Sequence, residues 1–176
     1  KLNIKLVLSR TENFYTYDKE LIYNLKPNIV TNDVKVDFYS RVVEYNGRYS
    51  INKFQNRNSG YENKDYENIF MGCSFMFGEG LVDEETVAYI SNNLNKSLKV
   101  INVGVGGYGF LQSKKKSEKF INSKVKNIVY LSLPESHASR DQGYLNLLNT
   151  KKIQSTEELV FLNKSLTVKN SSINYI

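Results

Sequence analysis

Apolar and polar positions alternate into a strand–helix–strand–helix–strand order through the middle of the chain. Asn68-Ile69-Phe70-Met71-Gly72 is a short apolar run closed by glycine, the pattern of a buried strand. Asp83 then stands as a helix N-cap, with Glu84 and Glu85 well placed in the first turn. Val87, Ile90 and Leu94 recur at helical spacing behind them. Lys99 to Val103 is the next buried strand, and the Gly-rich turn Gly104-Val105-Gly106-Gly107-Tyr108-Gly109 follows it. A second helix is expected from about Phe110 to Asn122, with a weak apolar face, and Ile128 to Leu133 forms a third strand. Alternation of this kind within about 65 residues requires right-handed crossovers, and so a parallel sheet with helices on its faces. The predicted class is α/β.

Residues 1–65 read differently. They are rich in Asn, Tyr and charge, with short alternations such as Val34-Lys35-Val36-Asp37-Phe38 that mark half-exposed strands between turns. This part is expected to be an irregular lead-in that packs on the core, with residues 66–176 forming the α/β domain. The tail from Lys151 to Ile176 is polar and shows no further strand–helix unit.

Composition changes this picture only at its margins. The chain has 176 residues, 40% of them apolar and 24% charged, as in folded globular proteins. No stretch approaches the roughly 20 apolar residues that span a bilayer. The single cysteine, Cys73, excludes an intramolecular disulfide but leaves the compartment open. The net charge of +6 comes from scattered lysines, apart from Lys114-Lys115-Lys116 and Lys151-Lys152, which favours a solvated basic surface over a nucleic-acid groove. The chain opens on Lys rather than Met, so a processed or trimmed product is expected, and a leader or anchor would lie upstream.

In an open parallel sheet, functional groups gather just past the C-terminal ends of the strands. Three segments occupy that edge: Cys73-Ser74, Gly104 to Gly109, and Pro134 to His137. Ser74, with glycines at 72, 78 and 80, is placed to present its hydroxyl at a helix N-terminus, where backbone N–H groups can stabilise an oxyanion. A turn serine or helix cap is an equal reading from local context. Cys73 reads as a small buried residue rather than a reactive thiol. Glu79, Asp83, Glu84 and Glu85 lack His or Cys companions and read as helix-start charges rather than a metal site. Tyr108 is open between lining a pocket and simple packing. The Gly-rich turn lacks the Lys-Ser/Thr and full glycine spacing of a nucleotide loop.

The stretch GCSFMFGEGLVDEETVAYI, followed by VINVGVGGYGFLQ, resembles the SGNH/GDSL hydrolases, a family of serine esterases and acyltransferases. The family's first block, Gly-Asp-Ser, is here Gly72-Cys73-Ser74. The resemblance implies that Ser74 is the nucleophile and that its N–H helps to form the oxyanion hole. The second block, Asn-x-Gly-x-x-Gly, maps onto Asn102, Gly104 and Gly107, and implies that Gly107 is an oxyanion donor. Looser similarity runs back through Leu25-Lys26-Pro27-Asn28 and the turn Asn56-Arg57-Asn58. The implied fold is a flavodoxin-like parallel sheet with helices on both faces. The implied substrate is a small-molecule or glycan ester, with no cofactor, no metal and no nucleic acid. By the same analogy the setting is extracytoplasmic or membrane-associated, with a cytoplasmic one also open, and the oligomeric state is not implied.

The pattern breaks after the third strand. The family's Gly-x-Asn-Asp is replaced by Leu133-Pro134-Glu135-Ser136-His137, and no Asp-x-x-His follows. His137 is the only histidine, inside Ser136-His137-Ala138-Ser139-Arg140, which is similar to the Asp-His-x-x-Arg run of some members. It stands as base or oxyanion donor of a variant site, with a base beyond Ile176 as the alternative and a surface loop histidine as the plain reading. Three strands fall short of the usual five or so, so the domain is expected to be incomplete and the chain part of a longer protein. A catalytically inactive SGNH-like domain that binds a glycan or a protein partner is the competing expectation.

Overall fold

The structure, a computed structural model, describes residues 14–36, 42–150 and 155. The chain's first thirteen residues, Asp37 and Phe38 of the early alternation, and all of the tail after Thr150 except Ser155 lie outside the described residues.

Two antiparallel hairpins lead in. β1 (Tyr15–Asp18) pairs with β2 (Ile22–Leu25), and β3 (Ile29–Val36) pairs with β4 (Val43–Ile51). A parallel three-stranded sheet follows, from β5 (Asn68–Gly72), β6 (Val100–Asn102) and β7 (Asn127–Leu131), in the order β6-β5-β7. The helices are α1 (Ser74–Phe77), α2 (Val87–Leu94), α3 (Phe110–Glu118) and α4 (Pro134–Thr150). The fold is α/β, a parallel sheet flanked by helices. The order also reverses direction at β5: the chain moves to one side for β6 and to the other for β7, the arrangement in which open α/β sheets place their functional groups at the C-terminal end of the central strand.

Two apolar clusters hold these parts together. One joins Ile69 and Met71 of β5 to Ile101 and Val103 around β6. The other joins Phe14, Leu21, Ile22, Leu25, Tyr49 and Ile51 of the lead-in to Phe77, Val105, Tyr108 and Tyr144, so the hairpins pack directly over the strand ends. Arg57 locks the two regions. Its backbone bridges both Ile51 and Asn102, its side chain is fully buried, and its Nε lies 2.8 Å from Asp83 Oδ1. The guanidinium carbon sits 4.2 Å from the Tyr49 ring centroid and 4.7 Å from that of Phe77.

Three helix expectations change. Asp83 is not an N-cap: Asp83–Glu85 is a single 3₁₀ turn, and Asp83 is buried against Arg57. The cap of α2 is Thr86, whose hydroxyl accepts from Tyr89 N–H and donates to the Asp83 carbonyl. Val87, Ile90 and Leu94 face outward, while Ala88 and Asn92 are buried, because Asn92 bonds the Ser59 carbonyl and both backbone groups of Val100. α3 stops at Glu118, short of the expected Asn122, and α4 is a helix in a stretch to which the sequence reading assigned no element.

Candidate functional site

β5 delivers the first segment. Gly72 ends the strand at φ +155°, where a Cβ would lie 3.1 Å from Met76 Cβ and 3.2 Å from the Leu131 carbonyl, so only glycine fits the turn into α1. Cys73 is fully buried and its carbonyl accepts the Phe77 N–H at 2.9 Å. Ser74 opens α1 and is half-buried, its carbonyl accepting from the N–H groups of Gly78 and Glu79. Among the described residues no hydrogen bond engages the Ser74 hydroxyl, so a packed structural role does not consume it.

β6 delivers the second. Asn102 is fully buried; its Nδ2 donates to the Met76 carbonyl at 2.9 Å and its Oδ1 accepts the Gly104 N–H at 3.0 Å. One side chain thus clamps α1 to the Gly-rich turn. Gly104 makes that approach possible, since a Cβ there would stand 2.6 Å from the Phe77 nitrogen. Val105 N–H also bonds the Gly72 carbonyl at 3.1 Å. Gly107 is exposed, at φ +82°.

The lead-in roofs this turn. Tyr23 donates its hydroxyl to the Gly106 carbonyl at 3.0 Å, and Cβ atoms on Gly106 and Gly107 would lie 2.6 Å from the hydroxyls of Tyr15 and Tyr23 respectively. Burial raises the pKa of Tyr23, against a lowering by Arg140, so the phenol stays neutral and donates. Tyr108 is fully buried, edge-on to Tyr23 at 5.2 Å, with its hydroxyl bonded to the Tyr23 carbonyl; it packs rather than lining a pocket.

The third segment is carried by α4. Leu111 N–H donates to Asp141 Oδ1 at 2.9 Å, and Arg140 Nη1 donates to the Tyr108 carbonyl at 3.4 Å, so α4 leans on the Gly-rich turn. Gly109 allows the contact, because a Cβ there would reach 2.9 Å from the His137 carbonyl. His137 is 2% exposed, which removes the surface-loop reading. Its Nδ1 receives the Leu133 N–H at 3.3 Å and also contacts the Tyr130 hydroxyl. Burial lowers its pKa, the Arg140 charge adds to the lowering, and Asp141 opposes both. The ring is therefore neutral, and a backbone donor at Nδ1 assigns the remaining proton to Nε2. Among the described residues Nε2 has no hydrogen-bond partner. In that tautomer Nε2 gives a proton in a hydrogen bond and does not accept one.

Ser74 and Gly107 thus lie on segments that Asn102 ties together, and His137 is tied to the same turn from the other side. No hydrogen bond joins His137 to Ser74. Sequence reasoning missed Tyr15 and Tyr23, named Arg140 only within the run after His137, and missed Asp141. A signal for the last two was present: Pro134 at the first helical position and Glu135 in the first turn mark a helix start, and positions three and four beyond His137 then share its face. No family model, curated protein or solved structure matches this chain.

Proposed function

We propose that the chain carries the nucleophile half of an SGNH-type serine hydrolase acting on carboxylic esters, with acyl groups on a glycan as the favoured substrate class. The observation that carries the reading is Ser74 itself: an unengaged hydroxyl at the start of α1, beyond the strand where the sheet order reverses, clamped beside the Gly-rich turn by Asn102. On this reading Ser74 Oγ attacks the acyl carbonyl, and the N–H groups of Ser74 and Gly107 hold the developing oxyanion. Right-handed crossovers about the reversal would set α2 and α3 on opposite faces, as a flavodoxin-like sheet requires.

His137 fits the role of a third oxyanion donor through Nε2–H better than that of the base. To act as base, its Nδ1 would have to give up the Leu133 N–H and take the proton instead. The serine proton then goes to a separate group. The same tautomer supports the second reading, an SGNH-like domain without catalysis that binds a glycan or a protein.

A serine-reactive fluorophosphonate separates the two. Intact mass should show one adduct on the wild-type chain and none on Ser74→Ala. An unlabelled wild-type chain, folded and with its Ser74 intact, would remove the hydrolase reading and leave the binding domain.

A further inference from the structure

A cavity of about 400 Å³ opens at the other end of the sheet. Its wall residues Tyr61, Tyr66, Phe120 and Lys124 precede β5 and β7, whereas Ser74 follows β5. Five strand residues at about 3.3 Å each separate the two ends, a distance of about 16 Å. The cavity belongs to none of the chemistry described above.

Its walls combine two kinds of group. Phe54, Tyr61, Tyr66 and Phe120 supply aromatic surface. The amides of Asn52, Asn56, Asn63 and Asn122 and the hydroxyl of Ser123 supply the polar groups. Asn52 and Asn122 commit their Oδ1 acceptors to backbone N–H groups, so the amides and the Ser123 hydroxyl offer chiefly donors, which match the hydroxyl and carboxylate oxygens of a sugar, while ring faces cover the C–H faces of a pyranose. An apolar ligand would leave the amide donors unpaired, and no arginine stands among the lining residues to grip a phosphate in bidentate fashion.

The walls are also fixed in advance. Tyr66 donates its hydroxyl to the Phe120 carbonyl at 2.7 Å, and Tyr61 donates to Asp65, which Lys99 holds at 2.9 Å. The 52–56 turn is tied by Asn52 Oδ1, which accepts from the N–H groups of Phe54 and Asn56, and by the buried Lys116, which donates to the Gln55 carbonyl at 2.8 Å. Within this frame Asn56 is 2% exposed, and its Oδ1 is buried without a hydrogen-bond partner among the described residues.

Charge narrows the ligand. Lys119 is spent on Asp18 and Glu20, at 3.4 and 3.2 Å. Lys64 and Lys124 are exposed at the cavity against a single carboxylate, Glu62. We propose that this cavity is a carbohydrate-binding site for a short oligosaccharide, with preference for one that carries a carboxylate. The proposal is independent of Ser74 and of any esterase activity.

The test is the full chain on an array of neutral and uronic-acid-containing oligosaccharides, followed by calorimetric titration of the sugars retained. Binding to acidic members is expected, about tenfold weaker in Tyr61→Ala and unchanged in Ser74→Ala. Lys124→Glu, an exposed change that spares folding, should weaken acidic sugars and leave neutral ones alone. Retention of no sugar, or binding that survives both cavity variants, overturns the site. Equal binding of neutral and acidic sugars, insensitive to salt, overturns the carboxylate preference. Failure of fluorophosphonate labelling with sugar binding intact would sink the hydrolase reading and leave this one standing.

Discussion

Replacing Lys116 by Met removes a charge that the interior has little to balance. The side chain is fully buried on α3, its Nζ bonds only the Gln55 carbonyl, and it has no carboxylate within ion-pair distance among the described residues. Burial, helped by the neighbouring Lys119 and opposed by Asp18, pushes its pKa down from 10.5 to about 7. Below pH 7 the amine is charged in both folded and unfolded chains, and the desolvation cost is fully present. From pH 7 to about 10.5 the unfolded chain holds a proton that the folded one has lost, so stability rises with pH by about 1.4 kcal/mol per unit. The separation of about 3.5 sets a ceiling of about 5 kcal/mol. Methionine keeps the length of the stem but leaves the Gln55 carbonyl without its donor, at about 1 kcal/mol. With relaxation around the charge, Lys116→Met should gain roughly 2–4 kcal/mol at pH 6, or a Tm rise of roughly 5–15 °C. Urea unfolding followed by far-UV circular dichroism from pH 6 to 10 measures the difference, which should shrink steadily as pH rises. Above pH 10 both proteins should weaken together, because Tyr23, Tyr49 and Tyr108 have raised pKa values and ionise first in the unfolded chain. A variant less stable than wild type at pH 6, or a difference that does not change with pH, refutes the reasoning.

Three further substitutions probe other joints. Arg57→Ala strands Asp83 and empties the space between Tyr49 and Phe77; a loss of about 3–5 kcal/mol is expected in urea unfolding, and it should be strongly non-additive with Asp83→Asn. Gly109→Ala incurs no dihedral penalty at φ −88°, but its Cβ meets the His137 carbonyl and Asp141, so a loss of about 1–3 kcal/mol and faster amide exchange along α4 are expected. His137→Gln keeps a hydrogen-bond donor without a base; hydrolysis of p-nitrophenyl acetate should fall but stay measurable, where Ser74→Ala abolishes it. Equal loss in both would assign His137 as the base instead.

β5 and β6 were legible because they are short apolar runs closed by glycine or a turn, and burial in a parallel sheet demands that composition; β7 carries the same apolar pattern although it lies exposed at the sheet edge. Their crossover order followed from two helical intervals. The helices were less legible because their buried faces are polar. α3 buries Gln112, Ser113, Lys116 and Ser117, and α2 buries Asn92. Hydrophobic spacing reports a helix face only where that face meets other apolar groups. Here the faces meet backbone: Gln112 donates to the Leu21 carbonyl, Lys116 to that of Gln55, and Asn92 to those of Ser59 and Val100.

That exchange also explains why the candidate site was only half visible. Gly72, Ser74, Asn102 and Gly107 lie at strand ends, where spacing along the chain fixes their separation, and the motif could be seen in one dimension. Tyr15 and Tyr23 reach the same turn from hairpin β1–β2, more than 80 positions away from Gly106 and Gly107, through contacts that no periodicity encodes. The lead-in's irregular carbonyls are satisfied by helix side chains, and its rings close over the Gly-rich turn that those helices flank. A lead-in that caps backbone groups of the core and roofs its strand ends cannot be removed without exposing both. Deletion of residues 14–25 should therefore abolish cooperative unfolding rather than yield a trimmed, folded α/β domain, and a variant that still melts in one sharp transition would show that the hairpin is an accessory.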